Sequence, residues 1–91
     1  MIGQQMYTII LDEEVIKQLK KIKDKKLQLK IKSILKELEL DPYNPNNKFE
    51  RLKHNFKGYC SKRLNKKDRI IYKVDDKQII VLVISVLGHY E

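Results

Sequence analysis

Cysteine is nearly absent. Cys60 is the single one in 91 residues, so no intrachain disulfide can form and nothing points to secretion. Histidine is almost as scarce: His54 and His89 stand far apart, and no C-x-x-C or H-x-x-x-H spacing offers a metal site. Three glycines are too few for a glycine-rich phosphate loop. Long apolar runs are missing as well; the longest, Ile79 to Leu87, is interrupted by Ser85 and is far too short to span a bilayer. Met1 to Tyr7 lacks the charged and apolar regions of a signal peptide. The expectation is a cytoplasmic chain, one domain over residues 1–91, with no membrane segment, no metal and no cofactor. Any catalysis would then rest on side chains alone.

Acids are also lacking, in one place only. From Lys48 to Lys73 ten Lys/Arg face two carboxylates, Glu50 and Asp68, and ten minus two gives the whole net charge of +8. The rest of the chain carries ten lysines and ten acids, which cancel. A basic excess confined to one stretch reads as a surface for polyanions, against the plainer alternative of a solvated face kept for solubility. The lysines of the N-terminal half are balanced locally, and there the solvated face is the better reading.

Periodicity supplies the elements. Tyr7 to Leu11 reads as a strand. Asp12 is placed to cap a helix carrying Val15, Leu19 and Ile22. Asp24 is placed to cap a second, with Leu27, Ile31, Ile34, Leu35 and Leu38 on one face. Pro42 and Pro45 close it. Beyond them the period becomes two: Gly58 to Leu64, Arg69 to Val74 and Lys77 to Leu87 read as strands, with Asn65 to Asp68 and Asp75-Asp76 as turns. Ile70, Tyr72 and Val74 share one face of their strand; Arg69, Ile71 and Lys73 share the other. The fold class expected is α+β, an N-terminal strand and a two-helix hairpin packed on a twisted, mostly antiparallel sheet.

RNA is cut without a metal when a base takes the 2′-hydroxyl proton, cations stabilise the phosphorane, and an acid protonates the leaving 5′-oxygen. Glu50 is the acid embedded among the cations just before the strands, and a carboxylate so placed suits a base. Arg69 starts a strand and could fork onto a phosphate. His89 and Tyr90 lie where the last strand runs out. Each also has a plain reading: Glu50 as a surface partner of Arg51 or Lys53, Tyr90 as a packing ring, His89 as a histidine with no task.

Four blocks carry a resemblance: Glu50-Arg51-Leu52-Lys53-His54-Asn55, Gly58-Tyr59-Cys60-Ser61-Lys62-Arg63-Leu64-Asn65, Arg69-Ile70-Ile71-Tyr72-Lys73-Val74 and His89-Tyr90. In order and content they resemble the Txe/YoeB family of the RelE/ParE toxin superfamily. The resemblance implies a small RelE-like fold and a toxin of a bacterial toxin–antitoxin module. It further implies a ribosome-dependent endoribonuclease that cleaves mRNA in the A site and is silenced by a cognate antitoxin, with a homodimer possible. It implies Glu50 as general base, Arg69 as phosphate stabiliser, His89 as general acid and Tyr90 as the residue that orients substrate or acid. Lys53, His54 and Arg63 would line the RNA path, with Lys57, Lys62, Lys66 and Lys67 as further cations along it. The alternative is a non-nuclease toxin like the gyrase-inhibiting ParE group, for which Glu50 and His89 would be expendable.

Departures from the family pattern are Cys60, where an aromatic is usual, Asp68, where a histidine is common, and Glu91 beyond the His-Tyr end. Cys60 reads as a buried, inert thiol. Geometry sets one condition. With a two-residue turn at Asp75-Asp76, Val74 pairs with Lys77, Arg69 falls opposite Leu82, and His89 lies about 23 Å further on. A shared site therefore requires a wider turn, a bulge near Ser85 or a bend at Gly88, and at least one is expected.

Overall fold

Two aspartates start the helices in this computed structural model, which describes residues 6–88. Asp12 accepts from the amide of Glu14 and opens α1 (Glu13–Lys21); Asp24 accepts from those of Lys26 and Leu27 and opens α2 (Lys25–Leu40). Carboxylates in the first turn of α1 and lysines in its last match the helix dipole. Before them runs β1 (Thr8–Leu11). After them come β2 (Glu50–Arg51), a 3-10 turn (His54–Phe56), β3 (Cys60–Arg63), β4 (Arg69–Asp75) and β5 (Ile80–Ser85). The five strands form one sheet in the order β1-β5-β4-β3-β2, parallel at β1/β5 and antiparallel elsewhere. This is the α+β architecture expected, with the short β2 as an addition.

Val15, Ile22, Ile31, Ile34 and Leu38 of the helical segment pack against Cys60, Ile70, Tyr72, Val81 and Val83 of the sheet. All are withdrawn from water, so one sheet face is committed to the core. Tyr72 is fully buried and donates its hydroxyl to the Pro42 carbonyl at 2.7 Å, tying the centre of the sheet to the loop after α2. Cys60 is buried too, and burial pushes its thiol up against the opposing pull of Arg51 and Lys62.

The β4/β5 connection departs from the expected two-residue turn. Asp75 pairs with Ile80, so four residues, Asp76 to Ile79, make the turn, and Ile79 takes a left-handed backbone (φ 57°). Asp75 stabilises this longer loop by accepting from the amides of Lys77 and Gln78. The register then slips: Tyr72 faces Val83 while Ile71 faces Ser85, leaving Ile84 as the extra residue of a bulge. Gly88 bends the chain with φ 78°. Wide turn, bulge and bend are all present. Their joint result is that Arg69 donates its amide to the Gly88 carbonyl at 3.1 Å, so it is Gly88 and not Leu82 that lies beside it.

Candidate active site

Strand alternation puts Arg69, Ile71 and Lys73 on the sheet face turned away from the helices. On neighbouring strands the register sets Arg63 opposite Arg69, Ser61 opposite Ile71, and Glu50 opposite Ser61. Glu50 and Arg69 come from strands separated by β3, yet their side chains meet: Arg69 Nη2 lies 3.0 Å from Glu50 Oε1. The guanidinium is mostly sheltered, at 14% exposure, while the carboxylate is half-open at 51%. A cation held on strand β4 and braced by a carboxylate has little freedom to lose when a phosphate arrives. The half-exposed Glu50 carboxylate stays accessible from solvent.

Asp68 holds Gly88 to this place. It is buried, and it accepts from the Gly88 amide at 2.8 Å and from Asn65 Nδ2 at 2.9 Å. Gly88 is therefore gripped twice, through its N–H by Asp68 and through its carbonyl by the Arg69 amide. Asp68 thus acts as an acceptor for the Gly88 backbone. Sequence reasoning assigned it no such role; the clue was a lone acid directly before Arg69 in a basic stretch. His89 and Tyr90 follow Gly88 and lie outside the described residues.

The cations expected along an RNA path divide into three groups. Lys53, His54 and Lys57 are exposed around the 3-10 turn, where His54 takes a left-handed backbone (φ 55°). Arg63, Lys66 and Lys67 are exposed at the end of β3 and in the turn that follows. Lys62 contradicts the expectation. Its side chain enters the core face beside Cys60, is fully buried, and gives its ammonium to Asn44 O (2.8 Å), Asn44 Oδ1 (2.6 Å) and Asn46 O (2.8 Å). Those three donors are all an ammonium has. Burial pushes Lys62 below the usual lysine range, with Glu37 and Asp41 partly offsetting it. Lys62 is a clamp on the loop after α2 and not a contact for nucleic acid.

Two aromatic contacts flank the open face. Tyr59 meets Phe56 edge to face with ring centroids 6.2 Å apart, and Lys73 Nζ stands 5.6 Å from the Tyr59 centroid. Among the described residues no group of three or more His, Cys, Asp or Glu is arranged to hold a metal ion. None of the described helices is long and apolar enough to cross a membrane.

Comparison with known proteins gives a consistent result. The profile of the YoeB-like toxin of bacterial type II toxin-antitoxin systems matches residues 13–90. Toxin YoeB of Synechocystis sp. is 38% identical over 68 residues, covering 75% of this chain and 77% of the relative. Toxin YoeB of Escherichia coli K12 is 33% identical over 58 residues, covering 64% and 69%. Among solved structures, the YoeB dimer of Staphylococcus aureus superposes with a TM-score of 0.81 at 31% identity, covering 93% of this chain and 99% of that one. The RelE–RelB complex of Pyrococcus horikoshii, at 19% identity and a TM-score of 0.76, shares the fold. The chain belongs to the YoeB-like toxins of bacterial type II toxin–antitoxin systems.

Proposed function

We propose that this toxin is a metal-independent endoribonuclease that cuts mRNA in the ribosomal A site, in the cytoplasm, and so stops translation. The observation that supports the reading is the ion pair of Glu50 and Arg69 at 3.0 Å on the sheet face turned away from the helices, with Gly88 held alongside. Glu50 takes the proton of the 2′-hydroxyl, which attacks the adjacent phosphorus. Arg69 carries the charge that builds on the phosphorane oxygens. The leaving 5′-oxygen needs a proton, and His89, one residue past the Gly88 grip, is the residue assigned to give it. Tyr90 orients substrate or acid. Lys53, His54, Lys57, Arg63, Lys66 and Lys67 hold the backbone without reading sequence.

The S. aureus relative is described both as a YoeB dimer and as a heterotetrameric YoeB–YefM complex. The same kinds of partner, a cognate antitoxin and a second copy, are proposed for this chain. Primer extension on translated mRNA tests the function. The wild type gives discrete cuts within codons, and Arg69→Ala gives none while remaining folded. DNA damage without mRNA cuts would instead identify a gyrase inhibitor.

A further inference from the structure

The excess charge does not stop at the open sheet face. Around the β3/β4 turn, Arg63 and Lys66 line a pocket of about 330 Å³ together with Lys30 of α2 and Lys48. Its walls are pinned. Lys30 Nζ lies 2.6 Å from Asn47 Oδ1, and the Asn47 carbonyl accepts the Arg63 amide at 2.7 Å. Asn47 and Lys48 both take left-handed backbone (φ 58° and 53°), a costly conformation in non-glycine residues, and the chain so bent sets Lys48 on the pocket wall. Next to it, Lys26 and Lys30 line a second pocket, floored by Leu27 and Leu64. They stand four apart on α2 and so share one face of the helix. A third, along the same seam, takes in Lys21, Lys23 and Lys67.

The seam's carboxylates are already engaged. Asp24 caps α2, and Asp68 is buried on Gly88 and Asn65. The apolar side chains that do line these pockets, Ile22, Leu27, Leu64 and Leu87, are buried or half-buried parts of the core, and none of the large exposed ones (Met6, Ile10, Ile16, Leu29 and Leu40) is among them. An acidic protein partner would want apolar anchors as well as charge. A phosphodiester backbone wants cations alone.

We infer that the seam between α2 and the β3/β4 turn is a second RNA-backbone groove, continuous through Arg63 with the candidate active site. Lysines whose charge cancels along the sequence (Lys23, Lys26 and Lys30) are brought by the fold to the basic side. The choice of RNA as the polyanion rests on the endoribonuclease reading. The groove would dock a neighbouring folded RNA element while the message occupies the open face.

The test is the salt dependence of binding to a short, fluorescently labelled RNA duplex, comparing the full chain with Lys23→Gln/Lys26→Gln. Neither substitution removes the helix cap, since Lys26 donates to Asp24 through its backbone amide. Affinity at low salt should fall about tenfold, and the slope of log K against log salt should lose about 1 to 2 units, at about 0.9 per phosphate contact. In the wild type, duplex should shield Lys23 and Lys26 from chemical acetylation, a readout that needs no variant. An unchanged slope with both lysines unprotected would overturn the groove. So would displacement of the duplex by poly-glutamate more readily than by unlabelled RNA, which would mark a seat for an acidic protein. Binding and footprint are read without cleavage, so loss of the nuclease reading and loss of the groove are separate results.

Discussion

Replacing Asp68 with alanine should both loosen the fold and uncouple the terminal segment from Arg69. The buried carboxylate accepts two bonds, from the Gly88 amide at 2.8 Å and from Asn65 Nδ2 at 2.9 Å. A bond to a charged group contributes about 1.5–3 kcal/mol. Gly88 is exposed, so its freed amide regains water, and the expected loss is about 2–3 kcal/mol and not the full sum. With a urea slope of about 1–1.5 kcal/mol/M for a chain this small, the unfolding midpoint should drop by about 2 M. Asp68→Asn keeps an acceptor but not its charge, and should lose about half as much. Cleavage of translated mRNA should fall further than stability explains, since a displacement of about 1 Å at a reacting group costs about a hundredfold. The assay is urea unfolding by circular dichroism alongside single-turnover cleavage under conditions where the variant is folded. A midpoint within about 0.4 M of wild type together with unimpaired cleavage would refute the tether.

Glu50→Gln should leave stability within about 1 kcal/mol of wild type, because the carboxylate is half-exposed, while cleavage falls by about 10² to 10⁴, the range for a lost general base. Equal losses in urea midpoint and rate would assign Glu50 to structure alone. Lys62→Met should lower stability by about 2–4 kcal/mol by stranding the Asn44 and Asn46 oxygens, yet leave the salt slope of RNA binding unchanged; a reduced slope would return Lys62 to the RNA path. Tyr7 and Tyr43 both donate to Asp76, at 2.6 and 2.7 Å, which holds its carboxyl below the usual range. Its contribution is present above the unfolded value near 3.8 and is lost as pH falls through the lower folded value, so Asp76→Asn should flatten the acid limb of a stability–pH curve; an unaltered limb would count against the cluster.

The helices were legible in the sequence because two local signals agreed. Asp12 and Asp24 stood where caps belong, and Val15, Ile31, Ile34 and Leu38 kept the helical period, all of them now buried. The open and core faces of β4 followed from alternation in the same way. Lys62 was misread because its charge was weighed above its phase. Cys60, Lys62 and Leu64 alternate with Ser61 and Arg63, and that period alone pointed Lys62 inward. What makes its burial tolerable, three oxygens from Asn44 and Asn46, comes from a loop sixteen to eighteen residues away and leaves no local pattern. The four-residue turn and the bulge at Ile84 were visible only as a requirement, since Asp75-Asp76 is compatible with either turn length. The meeting of Glu50 with Arg69 depends on register across three strands; the chemistry of metal-free RNA cleavage and the family blocks both named the two residues, but no local pattern set them side by side. The helix lysines that line the seam escaped for a related reason: summing charge along the chain cancels what folding segregates in space.

The central claim is that Glu50 and Arg69 work a 2′-hydroxyl attack on the message. The most direct measurement supplies ribosomes with an mRNA bearing a single 2′-deoxy substitution at a mapped cut site, with chelator present throughout. Cutting should vanish at that site and persist at unmodified ones, leaving 2′,3′-cyclic phosphate and 5′-hydroxyl ends. Continued cutting at the deoxy position, or 5′-phosphate ends, would contradict the account.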